Sequence, residues 1–531
     1  MTIYTAISFA PVQGFIEKSR KLRDLYGASQ ILSYLSARIV THAKSTGSIK
    51  VISPVLRDDG DTMDLIQGMP NRILIEGAFS YNDAHSAISK GWSEIIVGCR
   101  EWIESNSQLS QHFNFSGEGW QRAWTKWKIN AWEIFWGEGQ TIDQAMLSLE
   151  TNKLRRDWTV PNWNGESSSL SGADGIAYPN MDNNVGSKYN LGREREEIRT
   201  FYDKLAQALE NTKQQDDPIF LDRSEWLSIP ELIKRLVTHH QVARRIDNQQ
   251  SLYTKSFREM LRIKDRNKGE EGGYRTGWFM GDGDQVGKHL KRLQTAEQVQ
   301  DFSHKLRAWG RDFHDDFNNQ KKLGRVVYAG GDDFLGIMYG TPEQPERTGE
   351  EVIDFLVSLG KRWQDANLCV TLSLGFVWAG HRVPQRDVLQ HCRKAEKRAK
   401  NLDRNRVTIR ILFNNGQFVD WTTPWKYVEW LKDYRDRNGK TGKDANWSHV
   451  YSDLAQLKAR HAIPPKTAHK ADEAVALSLL GLYFSKDELG EDKKTELSRH
   501  RKVITGSEEP QSVIEWIDGM IQVGWQLCSN S

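Results

Sequence analysis

The chain has 531 residues, 38% of them hydrophobic and 27% charged, with a net charge of only +3. That length allows three or four domains and ample core, and no run of about 18 apolar residues exists to cross a membrane. Cys99, Cys369, Cys392 and Cys528 form no CxxC pair, which argues against a disulfide framework and against a structural zinc ribbon. The N-terminus lacks the charged-then-apolar pattern of a signal peptide, so a cytoplasmic location is expected.

Residues 1–105 read as a first, degenerate palm. Ile3 to Phe9 is a short strand, and Phe15, Ile16, Leu22, Leu25, Ile31, Leu32 and Leu35 make the apolar face of a helical stretch. Val51 to Leu56 and Arg72 to Ile75 fit two further strands, and Asp83 to Ile103 a helix. The turn between those strands holds no acidic pair in the manner of Asp332-Asp333 below, so this copy is expected to be structural or to shape half of a pocket. Residues 106–265 read as a mainly helical insert, interrupted by a polar loop from Val160 to Gly192. A charged, Gly-rich joint, Lys264 to Tyr274, leads into a second palm over 266–415. The remainder, 416–531, reads as a helical bundle: Tyr427 to Tyr434, Val450 to Ala462, Ala471 to Phe484 and Val513 to Cys528 carry apolar faces.

The second palm carries the chemistry. Trp278-Phe279-Met280 is an apolar run ending in Gly281-Asp282-Gly283-Asp284. Two helical patterns follow, the second opened by a Thr295–Gln298 capping box. Val326 to Tyr328 and Phe334 to Ile337 suit two buried strands joined by Gly330-Gly331-Asp332-Asp333, the glycines permitting a turn and a close backbone approach. Thr348 and Glu351 open a helix. A strand (Val370 to Trp378), a basic helix (about Gln385 to Lys400) and a strand (Arg406 to Phe413) complete the pattern. Strands and helices in this order predict a ferredoxin-like α+β core with an added helix and strand. From Arg393 to Arg410 there are eight Lys or Arg against two acids.

In that topology the hairpin turn lies beside the carboxyl end of the first strand, so Asp282 and Asp284 are expected to face Asp332 and Asp333. Two carboxylates about 4 Å apart repel by roughly 4 kcal/mol at an effective dielectric near 20. A group of them must protonate, spread apart or bind a cation. Oxygen-only ligands select Mg²⁺ or Mn²⁺ over zinc and leave coordination positions for phosphate. Taken singly, each motif is an ordinary solvated turn; their convergence on one edge is what favours a two-metal nucleotidyl-transfer site.

Several stretches resemble the large polymerase-cyclase subunit of type III CRISPR effector complexes, Cmr branch. SFAPVQGFIEKSRKLRDLYGASQILSYLS is similar to that family's opening palm signature, TGWFMGDGDQVGKHL to its first acidic motif and VVYAGGDDFLGIM to its hairpin. TLSLGFVWAG with AEKRAKNLDRNRV resembles the closing segment of nucleotidyl cyclases generally. The resemblance implies two nucleotidyl-cyclase palms, the second catalytic, with a helical insert and a C-terminal bundle. It implies synthesis of a nucleotide second messenger, a cyclic oligoadenylate, from ATP on target-RNA binding. Asp282, Asp332 and Asp333 would hold the metals, with Asp284 a weaker ligand candidate or structural to the turn. Gly283, Gly330, Gly331 and Lys400 would meet the nucleotide, although Lys400 also reads as part of a solvated basic helix face. Implied partners are a small helical subunit, Cas-five-like and backbone subunits, CRISPR RNA and target RNA.

Two departures from that family stand out. Relatives often begin with an HD nuclease domain, whereas this chain starts at the palm, and its His314-Asp315 dipeptide reads as a surface pair on a helix. No nuclease activity is therefore expected. Relatives also often carry cysteine pairs for zinc in the middle region, where this chain has Ser167 to Gly172, so no zinc is expected. Some members without the nuclease domain join AMP to S-adenosylmethionine, and the sequence leaves that product open beside cyclic oligoadenylate. A non-catalytic docking subunit and a free-standing cyclic-dinucleotide cyclase are the competing readings.

Overall fold

The computed structural model describes residues 2–47, 49–55, 68–155, 163, 165–181, 190–210, 220–247, 252–254, 260, 262, 264, 272–293, 295–464, 468–485 and 491–529. They group into two compact units. The first gathers Met1–Arg258, Leu290–Arg311 and Val327–Gly331; the second gathers Glu259–His289, Asp312–Val326 and Asp332–Ser531.

In the first unit, β1 (Tyr4–Ala10), α1 (Leu22–Ser45), β2 (Lys50–Ser53), β3 (Arg72–Glu76), α2 (Tyr81–Ser105) and β4 (Glu133–Gly139) follow one another. The sheet order β2-β3-β1-β4 is that of a ferredoxin-like palm. The sequence reading closed this palm at residue 105, yet its fourth strand, β4, lies beyond that boundary and pairs antiparallel with β1 from Tyr4–Gly139 to Ala10–Glu133. Residues 56–67 of the β2–β3 connection fall outside the described residues; they include Asp58 and Asp59, an adjacent acidic pair that the sequence reading passed over.

The opening signature stretch is largely buried here. Asp24 and Gly27, both on α1, meet α3 (Ile229–Leu236). A Cβ on Gly27 would sit 1.9 Å from the Lys234 carbonyl oxygen, so glycine is what allows the two helices to touch. Arg235, 3% exposed, donates from Nε and Nη2 to the two oxygens of Asp24 at 2.5 and 3.0 Å, and from Nη1 to Glu225 at 2.9 Å. A buried guanidinium needs such carboxylates to remain charged. The Ser167–Gly172 stretch is fastened by hydrogen bonds to segments distant in sequence: Ser169 N–H donates to the Trp226 carbonyl at 2.9 Å and Ser171 N–H to Glu231 at 3.1 Å.

The second unit holds most of a six-stranded sheet. Its strands are β5 (Thr276–Gly283), β6 (Gly324–Tyr328), β7 (Asp333–Met338), β8 (Leu372–Ala379), β9 (Arg406–Leu412) and β10 (Phe418–Pro424), in the order β10-β9-β8-β5-β7-β6. The helices between them are α4 (Ala296–Asp315), α5 (Gly349–Asp365) and α6 (Gln385–Asn401). Both sequence-read capping boxes are present: Gln298 N–H donates to Thr295 Oγ1 at 3.3 Å, and Glu351 N–H to Thr348 Oγ1 at 3.2 Å, with the reciprocal bonds at 3.2 and 2.8 Å. Strand β10 lies beyond the predicted end of this palm and pairs with β9. After it come α7 (Ser448–Ala459), α8 (Lys470–Phe484) and α9 (Pro510–Cys528) of the helical bundle. The fold is thus α+β, with two palms, a largely helical segment between them and a C-terminal helical region. No described helix is long and apolar enough to cross a membrane.

Phe279, Phe313, Phe317, Phe334 and Phe355 form the aromatic centre of the second palm. The Phe279 ring lies 5.0 Å from that of Phe355 and 5.2 Å from that of Phe317. His314, expected at the surface, is buried on α4, its Nε2 3.0 Å from the Asn318 amide. Asp315 beside it accepts from Asn319 and Gln320 at 2.8 and 2.7 Å. This pair serves the end of the helix.

Candidate active site

Register builds the site. Along the antiparallel β5–β7 pair, Phe279 faces Gly336 and Gly281 faces Phe334. A Cβ on Gly336 would stand 2.1 Å from the Phe279 ring, and one on Gly281 2.2 Å from that of Phe334. Each ring therefore covers the glycine opposite it. A one-residue slip would turn every side chain to the wrong face and break both fits. In the register they fix, Asp282 stands opposite Asp333. The Gly283 N–H donates to the Asp332 carbonyl at 2.8 Å, tying the hairpin tip to the end of β5.

Three carboxylates thus share one edge of the sheet. Asp333 is exposed at the start of β7, yet protein crowds its carboxyl. That desolvation, followed by the negative charges of Asp332 and Asp282, raises its pKa to about 7. Burial likewise raises Asp282, with Lys400 opposing the shift. Lys400, near the end of α6, places Nζ 2.6 Å from Asp282 Oδ2 and 2.5 Å from Glu396 Oε1. Burial works against its charge, but the two carboxylates more than offset this and keep its pKa above the usual value. The solvated basic face foreseen for Lys400 is therefore a half-buried ion pair at the acidic edge.

Asp284 is placed differently. Its side chain is buried and accepts hydrogen bonds from Thr371 Oγ1 at 2.8 Å, Ser373 Oγ at 2.7 Å and the Asn405 N–H at 3.0 Å. Its own N–H donates to the Thr371 carbonyl at 2.7 Å. Both carboxylate oxygens are engaged by the scaffold around the start of β8. Of the two readings of Asp284, weaker ligand or structural to the turn, these contacts favour the structural one. Strand β5 ends at Gly283, so the next residue is freed from strand alternation and turns inward.

The glycines divide in the same way. Gly283 is crowded by the Val286, Asp332 and Trp363 side chains, a Cβ there coming within 3.0, 3.2 and 3.4 Å of them. Gly330, within the first unit, lies against the Gly68 carbonyl, 1.9 Å from where a Cβ would be. Arg307 Nη1 donates to the carbonyls of Gly68 and Gly330 at 3.1 and 3.3 Å. Close packing already requires glycine at both positions. Gly331 is also buried.

Sequence reasoning missed Glu396 and Arg307. The signal for Glu396 was its position four residues before Lys400, the spacing that aligns side chains along a helix. Nothing in the sequence marked Arg307.

Among the described residues no group of three or more His, Cys, Asp or Glu is gathered as a metal cage. The donor chemistry nevertheless fits a hard divalent cation. Asp282, Asp332 and Asp333 offer only oxygens, and their mutual repulsion is the kind a bound cation relieves.

A palm sheet with paired acids at the hairpin and a third on the neighbouring strand is the arrangement that two-metal nucleotidyl transfer calls for. Residues 275–408 match the family model described as Cas10/Cmr2, second palm domain. Residues 4–104 match that of CRISPR-associated protein Cmr2, N-terminal. Over these two segments the chain is similar to Cas10-family proteins.

Similar solved structures include a Csm1-Csm4 cassette in complex with cA4, at 13% identity and TM-score 0.47 over 99% of this chain and 70% of that chain. A cassette in complex with one ATP matches at 13% identity and TM-score 0.45 over 98% and 69%. Csm1 in T. onnurineus matches at 15% identity and TM-score 0.47 over 99% and 69%. No curated protein matches the chain.

Proposed function

We propose that this chain is the large subunit of a type III CRISPR effector complex, of the Cmr branch, and that its second palm makes a nucleotide second messenger from ATP. The observation that carries the reading is the edge where Asp282 faces Asp333, with Asp332 beside it and Lys400 bound to Asp282. The two family matches support the assignment to a type III complex. Similar structures are described as complexes with ATP, pppApA and cA4, which favours cyclic oligoadenylate as the product.

In the proposed reaction the 3′-hydroxyl of one nucleotide attacks the α-phosphate of another. A new P–O bond forms, the bond from the α-phosphorus to the α–β bridging oxygen breaks, pyrophosphate leaves and the hydroxyl proton passes to solvent. Asp282, Asp332 and Asp333 would hold Mg²⁺ or Mn²⁺. When bound, such ions lower the pKa of an attacking hydroxyl and neutralise charge on the reacting phosphate. Asp333 must be deprotonated to serve as a ligand. Lys400 is placed to exchange Asp282 for a triphosphate oxygen, which would orient the leaving group. Asp284 holds the start of β8 so that Asp282 keeps its position.

The domains follow as a degenerate first palm, a helical insert, a catalytic palm and a docking bundle. Partners would be the other effector subunits, with CRISPR RNA and target RNA, in the cytoplasm. Incubating the purified complex with ATP, Mg²⁺ and target RNA, with and without S-adenosylmethionine, tests the reading. A cyclic oligoadenylate supports it, and no ATP-derived product overturns it.

A further inference from the structure

Lys400 has two carboxylate neighbours, and only Asp282 belongs to the edge that would take metal. The other, Glu396, sits one turn earlier on α6, its Oε1 2.5 Å from the ammonium and its side chain 14% exposed. The position is an expensive one for an acid. Burial raises its pKa, and the charges of Asp282 and Asp284 add to the rise while Lys400 opposes it. An ion pair at this spacing adds little to the stability of a helix. Helix stability is therefore a poor reason to set a further carboxylate beside an edge already crowded with them.

We propose that Glu396 is a positioning residue that holds the Lys400 ammonium at the acidic edge and keeps it there to receive the triphosphate of the incoming nucleotide. This rests on the reading of the site given above. A lysine side chain is flexible and gives up much rotamer freedom when it is held in one place. Tethered to Glu396, Lys400 can release Asp282 when a cation and a triphosphate arrive and still remain within reach of the phosphate. Without the tether the ion pair left to it among the described residues is that with Asp282, which the cation needs. Glu396 thus has two effects: it restricts the lysine and weakens its competition for Asp282.

The test is equilibrium binding of AMPPNP with Mg²⁺ to the full chain, for wild type, Glu396→Gln, Glu396→Ala, Lys400→Ala and the Glu396→Ala/Lys400→Ala double variant. Thermal unfolding of each confirms folding, and the isosteric Glu396→Gln carries the comparison if Glu396→Ala does not fold. Glu396→Ala should weaken binding about tenfold. Glu396→Gln, which keeps an acceptor for the ammonium, should fall between it and wild type. The double variant should bind no more weakly than Lys400→Ala, because Glu396 acts through that lysine. Wild-type affinity in both Glu396 variants, or additive losses in the double variant, would overturn the role of Glu396. Failure of the wild type itself to bind AMPPNP would instead overturn the reading of the site.

Discussion

Asp282 stands opposite Asp333 because Phe334 covers Gly281 on the adjacent rung of the same ladder. The acidic edge is therefore set by a packing fit inside the sheet. Phe334 is fully buried, and Phe334→Ala should cost about 3–5 kcal/mol. Gly336→Ala, which drives a Cβ into the Phe279 ring, should cost about 1–3 kcal/mol. Denaturant unfolding measures both, and both variants should lose more catalytic activity than their folded fraction explains.

Asp284 and Asp333 should separate scaffold from ligand. Asp284→Ala strands the hydroxyls of Thr371 and Ser373 and the Asn405 N–H, and should lose about 3 kcal/mol of stability. Asp333→Asn should retain the fold and lose Mg²⁺-dependent product. Thermal unfolding beside a product assay distinguishes the two.

The raised pKa of Asp333 gives a pH signature. Its folded value, about 7, lies above the ordinary carboxyl value of 3.8. The protonated form is thus favoured by folding, and this contribution is fully present below about pH 4 and lost as pH rises through 7. In EDTA, wild type should lose stability over that interval, and Asp333→Asn should lose less. Mg²⁺ should raise the unfolding temperature of wild type more at pH 8 than at pH 5.5. Equal Mg²⁺ effects at the two pH values would contradict the assignment.

Asp24 offers a test far from the chemistry. Asp24→Ala leaves Arg235 buried with one of its two carboxylates gone, and should destabilise the first unit by about 3–5 kcal/mol. Limited proteolysis and thermal unfolding read this directly.

Much of the second palm was legible because local rules agree there. Apolar runs bounded by glycine and aspartate, and capping boxes at Thr295 and Thr348, signal elements without tertiary help. Strand β4 was not legible: EIFWGEG is only partly buried and depends on pairing with β1. Strand β10, FVDWTTP, sits among helical patterns and takes its form from β9. The basic run from Arg393 to Arg410 also misleads as a patch. Arg406 donates to the carbonyls of Val503, Ile504 and Arg404, and Arg410 pairs with Asp420 at 2.6 Å. Alternation along a strand puts Asp282 and Asp284 on one face; only the structure shows that the strand stops between them.

The most direct test of the central claim is mass spectrometry of the products made from ATP by the purified effector complex with target RNA and Mg²⁺. Wild type and an Asp332→Ala/Asp333→Ala variant of equal thermal stability are compared. The account predicts cyclic oligoadenylate from wild type and none from the variant; the same product in equal amount from both would contradict it.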